Sequence, residues 1–436
     1  MTVSSSRAAR AHLGGEIRRT VLPGGLRVVS ETVPGSETFS LGFFVDVGSR
    51  HEQAPVHGAA HFLEHVLFKG THRRTAEEIA IAIESVGGDI NAYTAKEHTC
   101  FYAKVLGEDA PVAVDVVTDM LTDSLITAPD VESERAVILD EIAMHNDDPA
   151  EVAHENVAWQ LFSAYGLGLP VVGSEQSITD LSRDQVAQYF SDHYFPGSIV
   201  VSAVGRVDHD QLCSDLVAFR PGVDPVPVVW SATEPYPKTA MVLAEERPLE
   251  QVTAVLGLRG VGQFDDRRHA LSLLSLILGG GMSSRLFVEV RERRGLTYGI
   301  EAGETCYSDG GLWTVEWQSH PDRVAEILQL VRTAMFDVAE HGVTDRELAR
   351  AEGQLRGQTL LAYESTSARM SRLGTTTLVG DERSVEEMLE RTDQVGSAEI
   401  SAVAADLFGQ VPVLGLVGPA VSDQVQRRIE SWHQSS

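Results

Sequence analysis

Cysteine and lysine are both scarce in this sequence. Its 436 residues contain three cysteines, which are Cys100, Cys213 and Cys306. An odd number of widely spaced cysteines excludes a disulfide framework and a cysteine-based metal site, and it predicts a reducing compartment. Lysine occurs only at Lys69, Lys96, Lys104 and Lys238, so arginine supplies nearly all cationic side chains. This usage is typical of a GC-rich bacterial genome, and we expect a bacterial, cytoplasmic protein.

Long apolar runs and net positive charge are missing as well. No run of about 18 apolar residues occurs, so the sequence predicts no membrane-spanning helix. The formal net charge is −28 at pH 7, which disfavours nucleic acids and anionic membranes as partners because like charges repel. Basic or unfolded peptides would suit such a surface, although a gain in solubility is the better explanation of the charge.

The length predicts more than one domain, because 436 residues exceed an ordinary single domain. A hydrophobic content of 43% with 22% charged residues is typical of a globular protein. The segment 219–240 carries five prolines and few periodic apolar positions, as an extended linker does. We predict a disordered leader at 1–15, with a transit peptide as the alternative, a first domain at 16–220, the linker at 221–238 and a second domain at 239–436.

The two halves of the chain follow one order of elements. In the first half, TVLPGGLRVVSETV predicts two strands and a turn, FSLGFFVDVG a strand, residues 57–69 a helix, and Thr75 with Glu78 the capping box of another. The strand pair DINAYTAKEHTCFYAKVL and further helices follow. In the second half, QVTAVLGLRG, RRHALSLLSLILGGG, SSRLFVEVRERRG and LTYGIEAGETCYSDGGLWTVEW predict a strand, two helices and a strand pair. We therefore predict an α+β fold of two homologous domains, each a mostly antiparallel sheet packed against several helices.

The segment HGAAHFLEHVLFKGT, residues 57–71, contains the predicted helix 57–69 and carries polar groups among otherwise apolar residues. His61 and His65 are four residues apart, so both imidazoles can point at one place, with Glu64 beside them. Residues 270–278, the matching helix of the second half, contain only Ala, Leu, Ser and Ile, so the fold does not require these polar groups. Two histidines and a carboxylate suit Zn²⁺ with one position left for water, and a neighbouring carboxylate can take a proton from that water. A solvated helix face is the alternative, and the interleaved apolar residues disfavour it.

A second helix, predicted at residues 132–148, offers the missing ligand. Glu134, Glu141 and His145 lie on one stripe of it, together with Ile138. Acidic groups on an otherwise apolar helix are typical of a partner that donates a ligand. Composition alone leaves four candidates open, which are Glu134, Asp140, Glu141 and His145.

These segments resemble a known family. AHFLEHVLFKGT, followed by the glutamate of ERAVILDEI, resembles the pitrilysin family of inverted zinc peptidases, whose signature is H-x-x-E-H. The segments GGDINAYTAKEHTCFY, LGGGMSSRLFVEVRERRGLTYG and ESTSARMSRLG are similar to the branch of mitochondrial processing peptidase β-subunits and their bacterial relatives, so the resemblance spans nearly the whole chain. It implies half of a metallopeptidase clamshell, with a catalytic first domain and a noncatalytic second domain that clamps the substrate. It also implies a zinc metalloendopeptidase that hydrolyses extended peptides and binds one Zn²⁺ per chain.

The resemblance also implies roles for individual residues. His61, His65 and Glu141 would be zinc ligands, Glu64 the general base, and Glu134 a carboxylate that supports the site.

Two further pairs of residues would bind substrate. Arg291 and Tyr298 would bind the scissile carbonyl; a surface arginine and a packed strand tyrosine are the alternative. A peptide would pair with a sheet edge formed by the strand HTCFYAKV and the preceding turn with Asn91 and Ala92; ordinary strand pairing is the alternative. We expect His57 to be a helix-start residue and His145 to be solvated.

One segment departs from the branch. FSAYGLGLPVVGS lacks the His-Pro pair and the basic residue usual there, so no side-chain preference can be carried over. Because family enzymes form a clamshell of four such domains, the resemblance implies a homodimer, with a heterodimer containing an inactive homologue as the alternative. A noncatalytic scaffold subunit is the alternative function.

Overall fold

A computed structural model describes residues 15–162, 166–219 and 239–433. The predicted linker at 221–238 and the predicted leader, apart from residue 15, lie outside these residues. We call residues 15–219 the first half and residues 239–433 the second half. Within these ranges, no helix combines the length and the apolar character that crossing a membrane requires.

Groups of strands and groups of helices alternate along both halves of the chain. The strands are β1 Glu16–Val21, β2 Arg27–Thr32, β3 Thr38–Val45, β4 Asp89–Thr94, β5 Thr99–Leu106, β6 Ile199–Gly205, β7 Met241–Glu246, β8 Val252–Gly260, β9 Ile300–Cys306, β10 Gly311–Ser319 and β11 Val413–Gly418. The helices are α1 Ala59–Val66, α2 Ala76–Glu84, α3 Ala110–Asp123, α4 Ala128–Asp147, α5 Pro149–Phe162, α6 Glu175–Asp180, α7 Arg183–His193, α8 His209–Asp215, α9 Arg268–Gly279, α10 Val324–His341, α11 Asp345–Ala362, α12 Thr366–Val379, α13 Val385–Thr392, α14 Ser397–Phe408 and α15 Asp423–Glu430. The segment Phe287–Arg293, predicted as an ordinary helix, is π-helical.

The two sheets repeat one topology. The strand order is β1-β2-β6-β3-β5-β4 in the first half and β7-β11-β8-β10-β9 in the second. Strands β2 and β6 are parallel, as are β7 and β11, and the other neighbours are antiparallel. Apart from the extra strand β1, each strand of the first sheet therefore has a counterpart in the second. The predicted α+β fold with two alike, mostly antiparallel sheets is confirmed.

Each sheet is covered on one face by a helix from the other half. Helix α5 of the first half lies on β8 and β11, and helix α12 of the second half lies on β3 and β6. The apolar residues at these contacts are buried on both sides, with Val157 against the second sheet and Phe44 against Met370 of α12. Because Phe44 faces α12 while Phe43 faces the core of the first half, both faces of β3 are buried.

Helix α12 packs closely on the first sheet, and a substitution at one of its glycines tests this contact. A Cβ atom added at Gly374 would lie 2.1 Å from the ring of Phe44. We expect Gly374→Ala to lower the free energy of unfolding by about 1–3 kcal/mol, as overpacking of a core does. Gly353→Ala, on α11 with open space around the added atom, is the matched control and should raise it by about 0.5–1 kcal/mol. Urea unfolding measures both, and equal stability of the two variants would contradict the described packing.

Candidate metal centre

Three side chains from two packed helices meet at one place. One ligand atom each of His61, His65 and Glu141 lies within 4.8 Å of the others. The Glu141 Oε2 atom is 3.6 Å from Nε2 of His61 and 3.5 Å from Nε2 of His65. Helices α1 and α4 are in contact here, so the i, i+4 histidine pair of one helix faces the carboxylate of the other. Of the residues that composition left open, Glu141 is the one in this group.

The donor set fits a zinc ion. Two imidazole nitrogens and one carboxylate oxygen are ligands that zinc takes, with a further position for water. The pKa of His61 is lowered to about 3, mainly by burial and further by the neighbouring His65 and His145. A neutral imidazole is the form that binds a metal. The group therefore offers a converging set of nitrogen and oxygen donors on half-buried side chains.

Glu134 holds His65 from the side away from Glu141. Its Oε2 atom is 3.0 Å from Nδ1 of His65, and its other oxygen is paired with Lys69. A carboxylate bonded to the Nδ1 hydrogen fixes the tautomer in which Nε2 is free to bind a metal. Glu134 thus contacts the histidine ring and is not a member of the converging group, and Lys69 is a supporting residue that the sequence did not indicate.

Glu64 is a half-buried carboxylate beside the group. The Thr94 hydroxyl donates a hydrogen bond to its Oε2 atom at 2.6 Å. Burial raises the pKa of Glu64, and the charge of Glu141 raises it further, while the Thr94 hydrogen bond and His65 act in the opposite direction. Thr94, the last residue of β4, was not identified from the sequence, because only the fold brings the end of this strand to helix α1.

The N-terminus of α1 has an unusual anchor. Its N-cap residue, Gly58, has no side chain and a φ of 90°. Glu52 instead accepts hydrogen bonds from the backbone N–H groups of Gly58 and Ala60, at 2.6 and 2.7 Å. Because these N–H groups lie in the first turn, the carboxylate does the work of a helix cap. The role of Glu52 was not predicted from the sequence. The glycine at the start of α1, which has no side chain to cap the helix, indicated that another residue must do so.

His57 and His145 lie outside the converging group. The Nε2 atom of His57 hydrogen-bonds with the Pro170 carbonyl at 2.9 Å. The residue lies two positions before α1, which begins at Ala59 and not at the predicted residue 57. His145 is half-buried, not fully solvated, and it is near enough to His61 to lower its pKa.

The predicted sheet edge was wrong by one strand. Strand β5, which contains HTCFYAKV apart from its first residue, pairs with both β3 and β4 and is therefore internal. Strand β4 ends the sheet, and Asn91 and Ala92 lie within it and not in a turn. The Ala95 N–H donates to the His98 carbonyl, so these two residues form a hydrogen-bonded pair next to the ends of β4 and β5. Antiparallel strands alternate such pairs with pairs whose backbone N–H and carbonyl groups point away from the neighbouring strand. By this alternation the backbone groups of Ala92 point outward from the sheet edge. There its N–H donates to the Asn91 side-chain oxygen at 2.8 Å.

Arg291 and Tyr298 contact each other on the second half. The Arg291 Nε atom donates to the Tyr298 carbonyl at 2.9 Å, and the guanidinium lies 5.5 Å from the centre of the ring. Tyr298 is 89% exposed, so it is not the packed strand residue of the alternative interpretation. Across the described ranges, no hydrogen bond or ion pair joins either residue to the three converging side chains.

Comparisons with known proteins identify the family. Residues 27–175 match the family described as insulinase (peptidase family M16), and residues 180–355 match the peptidase M16 inactive domain. A relative from Streptomyces coelicolor, named as an uncharacterized zinc protease, is 44% identical over 95% of this chain and 92% of its own length. This chain belongs to the M16 family. Relatives of the M16 chain under the same name occur in Mycobacterium tuberculosis, 43% identical over 92% of this chain and 93% of the relative, and in Bacillus subtilis, 31% identical over 93% and 98%.

Solved structures support the fold of this M16 chain. A protease from Helicobacter pylori has a TM-score of 0.87 at 19% identity, over 93% of this chain and all of the other, 100%. A structure from Pseudomonas fluorescens titled as a peptidase M16 inactive domain has a TM-score of 0.86 at 21% identity, over 93% and 98%. The family matches and the curated relatives confirm the predicted membership of the insulinase, or pitrilysin, family. The narrower likeness to processing peptidases stays a prediction.

Proposed function

We propose that this M16 chain is a zinc metallopeptidase that hydrolyses peptide bonds of extended peptides. The observation that carries the proposal is the convergence of His61, His65 and Glu141 beside the half-buried carboxylate of Glu64. A zinc ion held by these three side chains would supply a Lewis acid and a water of lowered pKa. The relatives that are named zinc proteases support the same reaction class.

In this mechanism Glu64 moves the proton. Its carboxylate first accepts a proton from the attacking water and then donates it to the leaving amine nitrogen of the cleaved bond. Burial that raises the pKa of Glu64 makes it a better base and allows it to hold the proton between the two steps. The Thr94 hydroxyl keeps the carboxylate in one orientation. Glu134 acts through His65, whose ring it orients, so it is a positioning residue.

The substrate would bind as an additional strand along β4. This strand is one of the two edge strands of the first sheet, and Thr94, its last residue, contacts Glu64. Main-chain hydrogen bonds to an edge strand give affinity with little sequence preference. The Asn91 side chain would have to turn away to release the Ala92 N–H for a substrate carbonyl. The net charge of −28 would favour basic peptides over acidic ones.

A homodimer would complete the enclosure of the substrate. Arg291 and Tyr298 lie on the second half, and Tyr298 is exposed. In a closed clamshell of two chains this pair would bind the scissile carbonyl and stabilise its oxyanion. We expect light scattering to give twice the mass of 47.3 kDa. A fully active monomer would contradict the homodimer, and a mass of one chain with activity only after adding an inactive homologue would favour the heterodimer.

Cleavage of a quenched fluorescent peptide tests the proposed function. We expect the purified chain to cleave an unstructured peptide, to lose this activity after dialysis against a chelator, and to regain it on addition of zinc. Matched peptides with a basic or an acidic flank separate the effect of surface charge. Cleavage that persists without metal would contradict the proposed chemistry, and bound zinc without cleavage of any peptide would favour the noncatalytic scaffold.

A further inference from the structure

Two hairpin turns, one from each half, are bonded to each other next to the candidate metal centre. The turn at residues 95–98 connects β4 to β5, and the turn at residues 307–310 connects β9 to β10. The Glu97 carboxylate accepts hydrogen bonds from the Ser308 N–H, at 3.1 and 3.0 Å to its two oxygens, and from the Ser308 hydroxyl at 2.6 Å. The turn 307–310 of the second half thus contacts the turn 95–98 of the first half through polar groups.

Arg50 joins both turns from a buried position. Its side chain is 5% exposed, and its guanidinium donates to both carboxylate oxygens of Asp309 at 2.9 Å. It also donates to the Glu97 carboxylate and to the Ser308 hydroxyl. A buried arginine held in a two-pronged geometry by a carboxylate is a strong and directional contact, and losing one partner leaves the charge poorly compensated.

The segment that carries Arg50 also leads to helix α1. The backbone N–H groups of Ser49 and Arg50 donate to the carbonyls of Ala95 and Lys96 in the first turn. Two residues after Arg50, Glu52 holds the N-terminus of α1. Segment 48–52 therefore bonds to the second half, to the turn that follows β4, and to the helix that carries His61, Glu64 and His65.

We propose that the turn with Ser308 and Asp309 positions the metal centre, acting through Arg50 and Glu97. This inference rests on the proposed peptidase function. Thr94 precedes the turn 95–98 directly and holds the Glu64 carboxylate, so a displacement of the turn moves Glu64 relative to the zinc ligands. Because catalytic groups tolerate little misplacement, a remote change of about 1 Å can cost on the order of 100-fold in rate. The second half is thus a positioning partner of the catalytic helix within one chain.

A second ion pair across the two halves provides a matched control. Arg369 on α12 pairs with Glu31 on β2 at 2.5 Å, and the side chains are 11% and 7% exposed. It resembles the Arg50 pair in joining a buried arginine of one half to a carboxylate of the other. In the first sheet, however, β6 and β3 separate β2 from β5. Loss of the Arg369–Glu31 pair therefore weakens the association of the two halves but does not displace the turn 95–98.

The experiment compares Asp309→Asn with Glu31→Gln in the full chain. We expect Asp309→Asn to lower kcat by about 10- to 100-fold with little change in KM and with zinc still bound. Asp309→Glu, which retains the carboxylate, should recover most of kcat. In the metal-free proteins, hydrogen exchange at residues 59–66 and 94–98 should be faster in Asp309→Asn than in Glu31→Gln. Ser308→Ala is a smaller change, so it should lower kcat and speed hydrogen exchange at these residues to a lesser extent.

Several outcomes would overturn the inference. Equal kcat in Asp309→Asn and Glu31→Gln would do so, as would a loss of kcat that only follows the fraction of unfolded protein. If Asp309→Asn does not fold, unchanged kcat and exchange in Ser308→Ala would count against it in the same way. A wild-type chain without peptidase activity would contradict the proposed function alone, since the exchange comparison still tests the positioning of α1 and the turn.

Discussion

Replacing Glu64 with glutamine is expected to lower kcat by about 10²- to 10⁴-fold while the protein keeps its zinc, because general acid–base catalysis contributes an effect of this size. Glutamine has the same shape and can still accept the hydrogen bond from Thr94, but it cannot take a proton from water. His61, His65 and Glu141 remain unchanged, so the ligand group stays complete. Quenched-peptide kinetics and elemental analysis on one preparation measure both quantities.

Thr94→Val is the graded comparison for this variant. It removes the hydroxyl that orients Glu64 and leaves the carboxylate, so its kcat should lie between those of the wild type and Glu64→Gln. Turnover of Glu64→Gln at the wild-type rate would contradict the role of Glu64 as the base. Equal losses in the two variants would mean that orientation, and not proton transfer, is what Glu64 provides.

Replacing His65 with alanine should remove both zinc and activity. This residue supplies one of the three converging donors, and its Nδ1 atom is held by Glu134. Loss of a group that only supports a metal ligand costs about 10- to 100-fold in metal affinity, so loss of the ligand itself should exceed this range. Competition with a chromogenic chelator measures the affinity, and the peptide assay measures the activity.

His57→Ala is the matched control, since His57 precedes the same helix and bonds only with the Pro170 carbonyl among the described hydrogen bonds. It removes an imidazole from the same region and should retain zinc. One equivalent of zinc in His65→Ala would contradict the ligand assignment. Loss of zinc from both variants would indicate that the site responds to the packing of α1 in general.

Local sequence patterns were sufficient to predict the repeated architecture. Apolar alternation and turn residues identified β3, β8 and the strand pairs, and the i, i+4 spacing of His61 and His65 identified the candidate metal helix. The comparison of α1 with α9 indicated that the fold does not require the two histidines and the glutamate of α1. Strands β6, β7 and β11 were not predicted; two of them are short, fully buried runs without the alternation that marks a half-buried strand.

What the sequence could not predict depends on contacts between distant segments. The local pattern of α4 left Glu134, Asp140, Glu141 and His145 open, and only the packing of α4 on α1 brings Glu141, the ligand that the resemblance implied, to the two histidines. The correct sheet edge follows from the pairing of β5 on both sides, which its own residues do not reveal. The same holds for Glu52 and Arg50, whose partners lie on a helix start and in the other half. Each of these features combines an ordinary side chain with a partner that only the fold supplies.

A zinc titration of the metal-free wild-type chain tests the central claim most directly. Bound zinc and the rate of peptide cleavage are measured in the same samples as zinc is added. The claim that His61, His65 and Glu141 hold a catalytic zinc predicts that binding and rate rise together and reach their maximum at one zinc per chain. Full cleavage before zinc is added, or one tightly bound zinc with no cleavage, would contradict it.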